Sequence, residues 1–399
     1  MGGGMTSQAE AEAQIDTVLG RAVEAREVPG VVALAATDEG PVYQGAFGVR
    51  DDAKGPAMTL DTVFRIYSMT KAVTCVAAMQ LVEEGKLSLD APVPAIDPAL
   101  AAPKVLEGFD QEGAPLLRPA ERPITLKHLM THTAGFTYEF WNADMLRYVE
   151  TTGAPPLMSG KLAALRRPLS FDPGARWEYG INIDWIGRIV EAVSGQSLDA
   201  YCRERVFAPL GMVDTGFVPT PEQQARWVSV HQRQPDGSLV PQPLPPPATL
   251  EFFAGGGGLY ATAHDYLAFL EMLLNDGSWQ GAQILRPETV ALMNRNHIAD
   301  LPAGVLNSTS PELTNDVDFF PGAGVRWGLG YMLNLEPGPS GRSAGTVSWA
   351  GLRNTYYWFD PARRVTGVIM TQILPFADPA AVRLQGRLER GVYALAETR

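Results

Sequence analysis

The chain has little of what builds metal centres or covalent frameworks: of 399 residues, two are cysteine and five are histidine. Cys75 sits in an apolar helical run and Cys202 lies far along the chain, so no disulfide framework is predicted. Basic residues are in deficit as well, 32 Lys and Arg against 44 Asp and Glu, a formal charge of −12. Such a chain repels phosphate backbones and anionic bilayer surfaces, which argues against nucleic-acid and membrane partners. No apolar stretch approaches the roughly 20 residues that span a bilayer. The start, Met1-Gly2-Gly3-Gly4-Met5-Thr6, has no basic segment running into a hydrophobic one, so no secretory signal is predicted. Gly2 with Thr6 fits the short N-myristoylation pattern, but the pattern is loose and a flexible tail is the simpler reading. The expectation is a soluble, cytoplasmic protein with no metal or organic cofactor.

What is present is an ordinary globular balance, 46% hydrophobic and 19% charged, in a chain long enough for two lobes and a cleft. Apolar positions Ile15, Val18, Leu19 and Ala22 recur at helical spacing before Pro29-Gly30 stops the run. Strand patterns follow at 31–36, 42–49 and 63–66. Near the other end, 346–349, 355–359 and 365–371 are punctuated by Gly351 and the turn Asp360-Pro361-Ala362-Arg363, which predicts an antiparallel meander. A last helix carries Leu384, Leu388, Val392 and Leu395 on one face. Helical signals at 125–130, 184–193, 263–274 and 287–296 fill the middle. The predicted fold class is α+β: residues 1–85 and 320–399 form a lobe with an antiparallel sheet flanked by helices, and 86–319 form an inserted, mainly helical lobe. Pro-rich 242–247 and the irregular 299–323 read as surface loops and cleft walls.

The chemistry-bearing signal is Ser68-Met69-Thr70-Lys71, which follows a strand and opens a helix running to Gly85. At i and i+3 the two side chains share a helix face, so the amine reaches the hydroxyl. A serine hydroxyl is a poor nucleophile until a base takes its proton. A lysine buried in a helix apolar nearly all round loses proton affinity and can be that base. Taken alone, S-x-x-K is equally a helix N-cap serine beside a solvated lysine.

The wider pattern decides between them. Phe64-Arg65-Ile66-Tyr67-Ser68-Met69-Thr70-Lys71, Leu126-Lys127-His128-Leu129-Met130-Thr131-His132-Thr133-Ala134-Gly135, Phe171-Asp172-Pro173-Gly174 with Tyr179, Gly255 to Leu259, and Trp349-Ala350-Gly351 occur in order. With them the chain resembles the serine β-lactamase and penicillin-binding-protein superfamily, in its class C-like branch and most of all the family VIII carboxylesterases. The resemblance implies a β-lactamase/transpeptidase-like fold and a third catalytic member, Tyr179; chemically, a buried ammonium beside a tyrosine can lower its pKa, so that phenolate and lysine share the proton. It further implies an oxyanion hole from the backbone N–H groups of Ser68 and Leu352.

Two departures bear on substrate. Lactamases carry Lys-Thr-Gly where this chain has Trp349-Ala350-Gly351; losing that cation and gaining an apolar wall disfavours carboxylate-bearing β-lactams and peptides and leaves neutral esters unaffected. Gly351 is expected to let substrate approach the strand. Tyr179-Gly180-Ile181-Asn182 sets Asn182 one residue later than the lactamase Tyr-x-Asn. Gly341-Arg342-Ser343-Ala344-Gly345 matches a nucleophile elbow, but Ser343 follows a Pro/Gly-rich loop and no histidine comes after it. His128 and His132 lack a third ligand and read as structural. Tyr138, Phe140, Trp141 and Phe253 suggest an apolar pocket, though core packing accounts for aromatics as often. The expected activity is a serine carboxylesterase acting on a small-molecule neutral ester through a Ser68 acyl-enzyme. An acyltransferase like the fungal polyketide-side-chain transferases, a β-lactamase or D-amino-acid peptidase, and a non-catalytic binding protein remain open beside it.

Overall fold

The computed structural model describes residues 7–51, 55–242, 250–322 and 324–398. Gly2, Thr6 and nearly all of the Pro-rich 242–247 segment lie outside the described residues.

The amino-terminal helix α1 (Gln8–Glu24) starts where the Ser7 hydroxyl accepts from the Glu10 amide and the Glu10 carboxylate accepts from the Ser7 amide, a capping box. Its apolar face, Ala11, Ile15, Leu19 and Ala22, is buried. The seven-stranded antiparallel sheet then draws two strands from this end of the chain, β1 (Gly30–Thr37) and β2 (Gly40–Gly48), and five from the other, β3 (Val325–Trp327), β4 (Met332–Asn334), β5 (Val347–Gly351), β6 (Thr355–Asp360) and β7 (Val365–Met370). Their order is β3-β4-β5-β6-β7-β1-β2, so β1 closes the sheet between its own hairpin partner and β7. The predicted Asp360 turn forms as expected, with the carboxylate accepting from the Ala362 and Arg363 amides at 3.0 Å each.

Strands β5, β6 and β7 are buried along their whole length and β1 along nearly all of it, because both sheet faces are covered. One face takes α1 and the carboxy-terminal helix, which buries the predicted Leu384, Leu388, Val392 and Leu395. The other takes the helix Ala263–Leu274, which packs on β1, β6 and β7. That helix was expected in the inserted lobe. It is buried on nearly every side, so it needs cover all round, and the sheet supplies one side of it. Between sheet and helices runs α2 (Thr70–Glu83), buried from Thr70 to Leu81 and packed against α3 (Asn182–Ser194). The stretch 299–323, expected to be irregular, contains a short antiparallel pair, Val305–Leu306 with Val317–Asp318. No helix among the described residues is long and apolar enough to cross a membrane.

Candidate active site

Ser68 is placed by a strand and a turn. Phe64–Arg65 pairs antiparallel with Tyr260–Ala261, and the chain then makes a single 3-10 turn, Tyr67–Met69, before α2 begins. Tyr67 takes a left-handed backbone, φ 43°, an uncommon conformation for a bulky residue that its surroundings must enforce. The Gly255–Leu259 run braces the other side. Leu259 donates its amide to the Thr70 hydroxyl at 3.1 Å and the Thr74 hydroxyl donates to the Gly255 carbonyl at 2.8 Å. A Cβ on Gly256 would lie 2.4 Å from Asp184 Oδ2, so glycine is required there for the loop to close on the helix.

Lys71 is fully buried, and its Nζ has three oxygen neighbours: Ser68 Oγ at 3.1 Å, the Tyr138 hydroxyl at 2.9 Å and the Gly256 carbonyl at 2.6 Å. Burial pushes the ammonium down to about 7, against the opposing pull of Asp184. The Gly256 carbonyl only accepts, so it takes one Lys71 hydrogen; Ser68 and Tyr138 are hydroxyls that can accept from the ammonium, and once Lys71 is neutral its lone pair can accept from Ser68. Asp184, also buried, accepts from the Gly256 amide at 2.9 Å and thereby fixes the carbonyl that holds Lys71.

Tyr179 lies alongside, with the Lys71 Nζ 4.8 Å from its ring centroid. Burial raises its phenol above the ordinary tyrosine range, more than hydrogen bonds with Ser68 and Trp349 lower it. The expected lowering by the ammonium is not found: Tyr179 rests as a phenol, and Lys71 is the group that titrates near neutrality. The Trp349 indole N–H donates to the Tyr179 hydroxyl at 2.9 Å.

A cavity of about 450 Å³ opens beside Ser68, lined among others by Tyr138, Phe140, Trp141, Phe253 and Leu352. The four aromatics read ambiguously from sequence therefore face the cleft. Trp349 and Gly351, expected to shape this pocket, do not line it. Trp349 is 3% exposed and supports Tyr179; a Cβ on Gly351 would come 2.3 Å from both the Ile66 carbonyl and Thr355 Oγ1, so its smallness lets β5 pack against the turn that carries Ser68. Asn182 turns away from the cleft, donating to the Phe136 carbonyl at 2.9 Å and lying 3.0 Å from His132 Nδ1. His132 is held neutral by burial, and His128 caps the 126–130 helix. Ser343 sits in a turn where its amide donates to Asp360, away from the cleft.

Two residues of the site escaped the sequence reading. Tyr138 was visible only as one aromatic among several, and Asp184 only as a helix residue. Tyr138, in Phe136-Thr137-Tyr138-Glu139-Phe140, and Asp184, five residues after Tyr179, carry no spacing that marks them. The segment 138–141 is fixed by the buried Arg167–Glu139 pair and by the 299–323 loop, through Thr309 Oγ1 to the Glu139 carbonyl at 2.7 Å and Trp141 Nε1 to Thr314 at 2.8 Å.

This chain matches the Beta-lactamase family model over residues 15–391. It is 32% identical to the lovastatin esterase of Penicillium rubens over 95% of this chain and 98% of that protein. It is 31% identical to the monacolin J acid methylbutanoyltransferase of Aspergillus terreus over 95% of each. Among solved structures, a mutant of simvastatin synthase from Aspergillus terreus superposes with a TM-score of 0.84 at 30% identity, covering 98% of this chain and all of that one. EstCE1, a hydrolase with promiscuous acyltransferase activity, shares the fold at 23% identity, with a TM-score of 0.76 over 97% of this chain and 99% of its own. With its two-ended antiparallel sheet and a family match spanning nearly its whole length, this chain belongs to the β-lactamase family.

Proposed function

We propose that the protein is a serine carboxylesterase of the family VIII type, acting in the cytoplasm on small-molecule neutral carboxylic esters through a Ser68 acyl-enzyme. The observation that carries this reading is the Lys71 coordination: its fully buried Nζ lies 3.1 Å from Ser68 Oγ and is held there by the Gly256 carbonyl and the Tyr138 hydroxyl. Lys71 takes the Ser68 proton as Oγ attacks the ester carbonyl, and the oxyanion rests on the Ser68 and Leu352 amides. The tetrahedral intermediate collapses with expulsion of the alcohol, which receives a proton from Lys71 or through Tyr179. Water, deprotonated by the same base, then attacks the acyl-enzyme and releases the acid. The aromatic lining of the cleft favours an apolar group next to the carbonyl.

A second reading is supported by the relatives whose names are acyltransferases: the same acyl-enzyme passes its acyl group to an alcohol rather than water. The test for the first is hydrolysis of p-nitrophenyl acetate and butyrate by wild type and Ser68→Ala, with intact-mass detection of the acyl-enzyme. Turnover and an acyl mass that the variant lacks support it; full activity in Ser68→Ala overturns it. Ester formation outrunning hydrolysis when an alcohol acceptor is added supports the second.

A further inference from the structure

A second cavity of about 450 Å³ is lined by described residues that are all different from those of the Ser68 cleft. It lies between β4, β5 and β6, which contribute Met332, Ser348 and Tyr356, and the carboxy-terminal helix Pro379–Ala396; the 316–321 loop and the 337–342 turn close it. Its size is that of a small-molecule site. Trp349 also lines it, although the indole N–H of that residue donates to the Tyr179 hydroxyl at 2.9 Å. Phe319, another lining residue, has its ring centroid 4.9 Å from that of Trp349. The two cavities therefore communicate through one side chain.

Two features of this second cavity are not explained by packing. Gly386, which lines it, sits in the middle of the carboxy-terminal helix, where only proline is less favourable than glycine. Gly391 on the same helix is needed, because a Cβ there would lie 2.7 Å from Ile15 Cγ1. A Cβ on Gly386 would meet only Ser340 Oγ at 3.5 Å and Arg390 Nη1 at 3.9 Å, which are ordinary contacts. The missing side chain keeps the cavity open. The second feature is its polar wall. Arg342, 5% exposed, pairs with Glu389 and donates from Nη1 to Ser348 Oγ at 2.8 Å. Three of its five N–H groups are used in this way; among the described residues the other two, and the hydrogen of the Ser348 hydroxyl, meet no acceptor. The wall thus offers donors to a ligand. Glu389 already balances the guanidinium, and Asp316 and Asp318 line the same space, so the donors suit an uncharged oxygen better than an anion.

We propose that this cavity is a second binding site, for an uncharged apolar molecule carrying a carbonyl oxygen, and that its occupant acts on turnover at Ser68 through Trp349. Phe319 and Phe320 take the apolar body, and Arg342 and Ser348 donate to the oxygen. Packed against Phe319 and Trp349, the occupant restrains the indole that holds the Tyr179 phenol, so binding remote from Ser68 steadies a group of the reaction. A neutral ester has this chemistry, which makes the substrate its own activator. The binding claim stands apart from the esterase reading; the effect on turnover rests on it.

The test uses 4-phenylbutan-2-one, an uncharged ketone that cannot be hydrolysed, in calorimetry and as an additive in p-nitrophenyl butyrate hydrolysis. Wild type should bind one molecule in the cleft and one in the second cavity. Competition in the cleft should raise KM, while the second molecule raises kcat about two- to fivefold, the worth of one better-held hydrogen bond. Gly386→Phe and Val382→Trp, which fill the cavity from one helix face, should each bind a single molecule and lose the kcat effect while the rise in KM remains. Ser348→Ala should weaken the second site about fivefold. Trp349→Phe should still bind two molecules but show no change in kcat. A single site in wild type overturns the proposal, as do two sites that persist in both filled variants. Two sites with a constant kcat overturn the coupling through Trp349. If wild type binds two molecules but fails to turn over the ester, the esterase reading falls and the second site stands.

Discussion

The indole N–H of Trp349 donates to the hydroxyl of Tyr179 at 2.9 Å. In lactamases this strand position carries a lysine; here it holds a neutral donor that fixes the orientation of a buried phenol. Trp349→Phe keeps an aromatic ring and removes the donor, a loss of about 1 kcal/mol for one neutral hydrogen bond. The expected result is a kcat for p-nitrophenyl butyrate lowered about fivefold with KM nearly constant. A change confined to KM would return Trp349 to the role of pocket wall.

The Lys71 ammonium, pushed down to about 7 by burial, sets the pH dependence. As a base it works only when neutral, so kcat/KM should rise with pH through about 7. Asp184 raises the proton affinity of Lys71, so Asp184→Asn should move this rise to lower pH. A pH profile of both proteins decides it, and an unmoved limb would remove Asp184 from the electrostatics of the site.

The same shift has a consequence for stability. Between about 7 and 10.5 the unfolded chain keeps the Lys71 proton and the folded chain has lost it, so the contribution of Lys71 to stability rises with pH across that window. Urea midpoints at pH 7 and 9 should therefore climb more for wild type than for Lys71→Met. Parallel slopes would mean that Lys71 keeps its proton.

Tyr138→Phe removes one of the two oxygens that hold the Lys71 Nζ beside Ser68. An unsatisfied buried donor costs about 1–3 kcal/mol, so kcat should fall about 10- to 100-fold, with the acid limb shifted to lower pH. Unchanged kinetics would leave Tyr138 as lining only.

Gly351→Ala places a methyl 2.3 Å from two oxygens, one of them the backbone carbonyl of Ile66. Overpacking of this kind destabilises by about 1–3 kcal/mol. Denaturant midpoint and esterase activity should fall together, because the strand that moves is the one packed on the Ser68 turn. A stable but inactive variant would instead point to a substrate contact at this position.

Local sequence determined the pieces. The β1–β2 hairpin, the meander of β5, β6 and β7 and the two terminal helices were legible because periodicity and turn residues depend on neighbours a few positions away. Ser68 and Lys71 were legible for the same reason, since a spacing of three on a helix is itself a statement about distance. Only the tertiary structure decided what surrounds them. Tyr138, Gly256 and Asp184 meet Lys71 across 67, 185 and 113 positions of chain, and no local pattern encodes such an encounter. It likewise moved the helix Ala263–Leu274 onto the sheet and put Trp349 behind Tyr179 instead of in the cleft. Burial and charge compensation are properties of the whole packed molecule, and they set the proton affinity of Lys71.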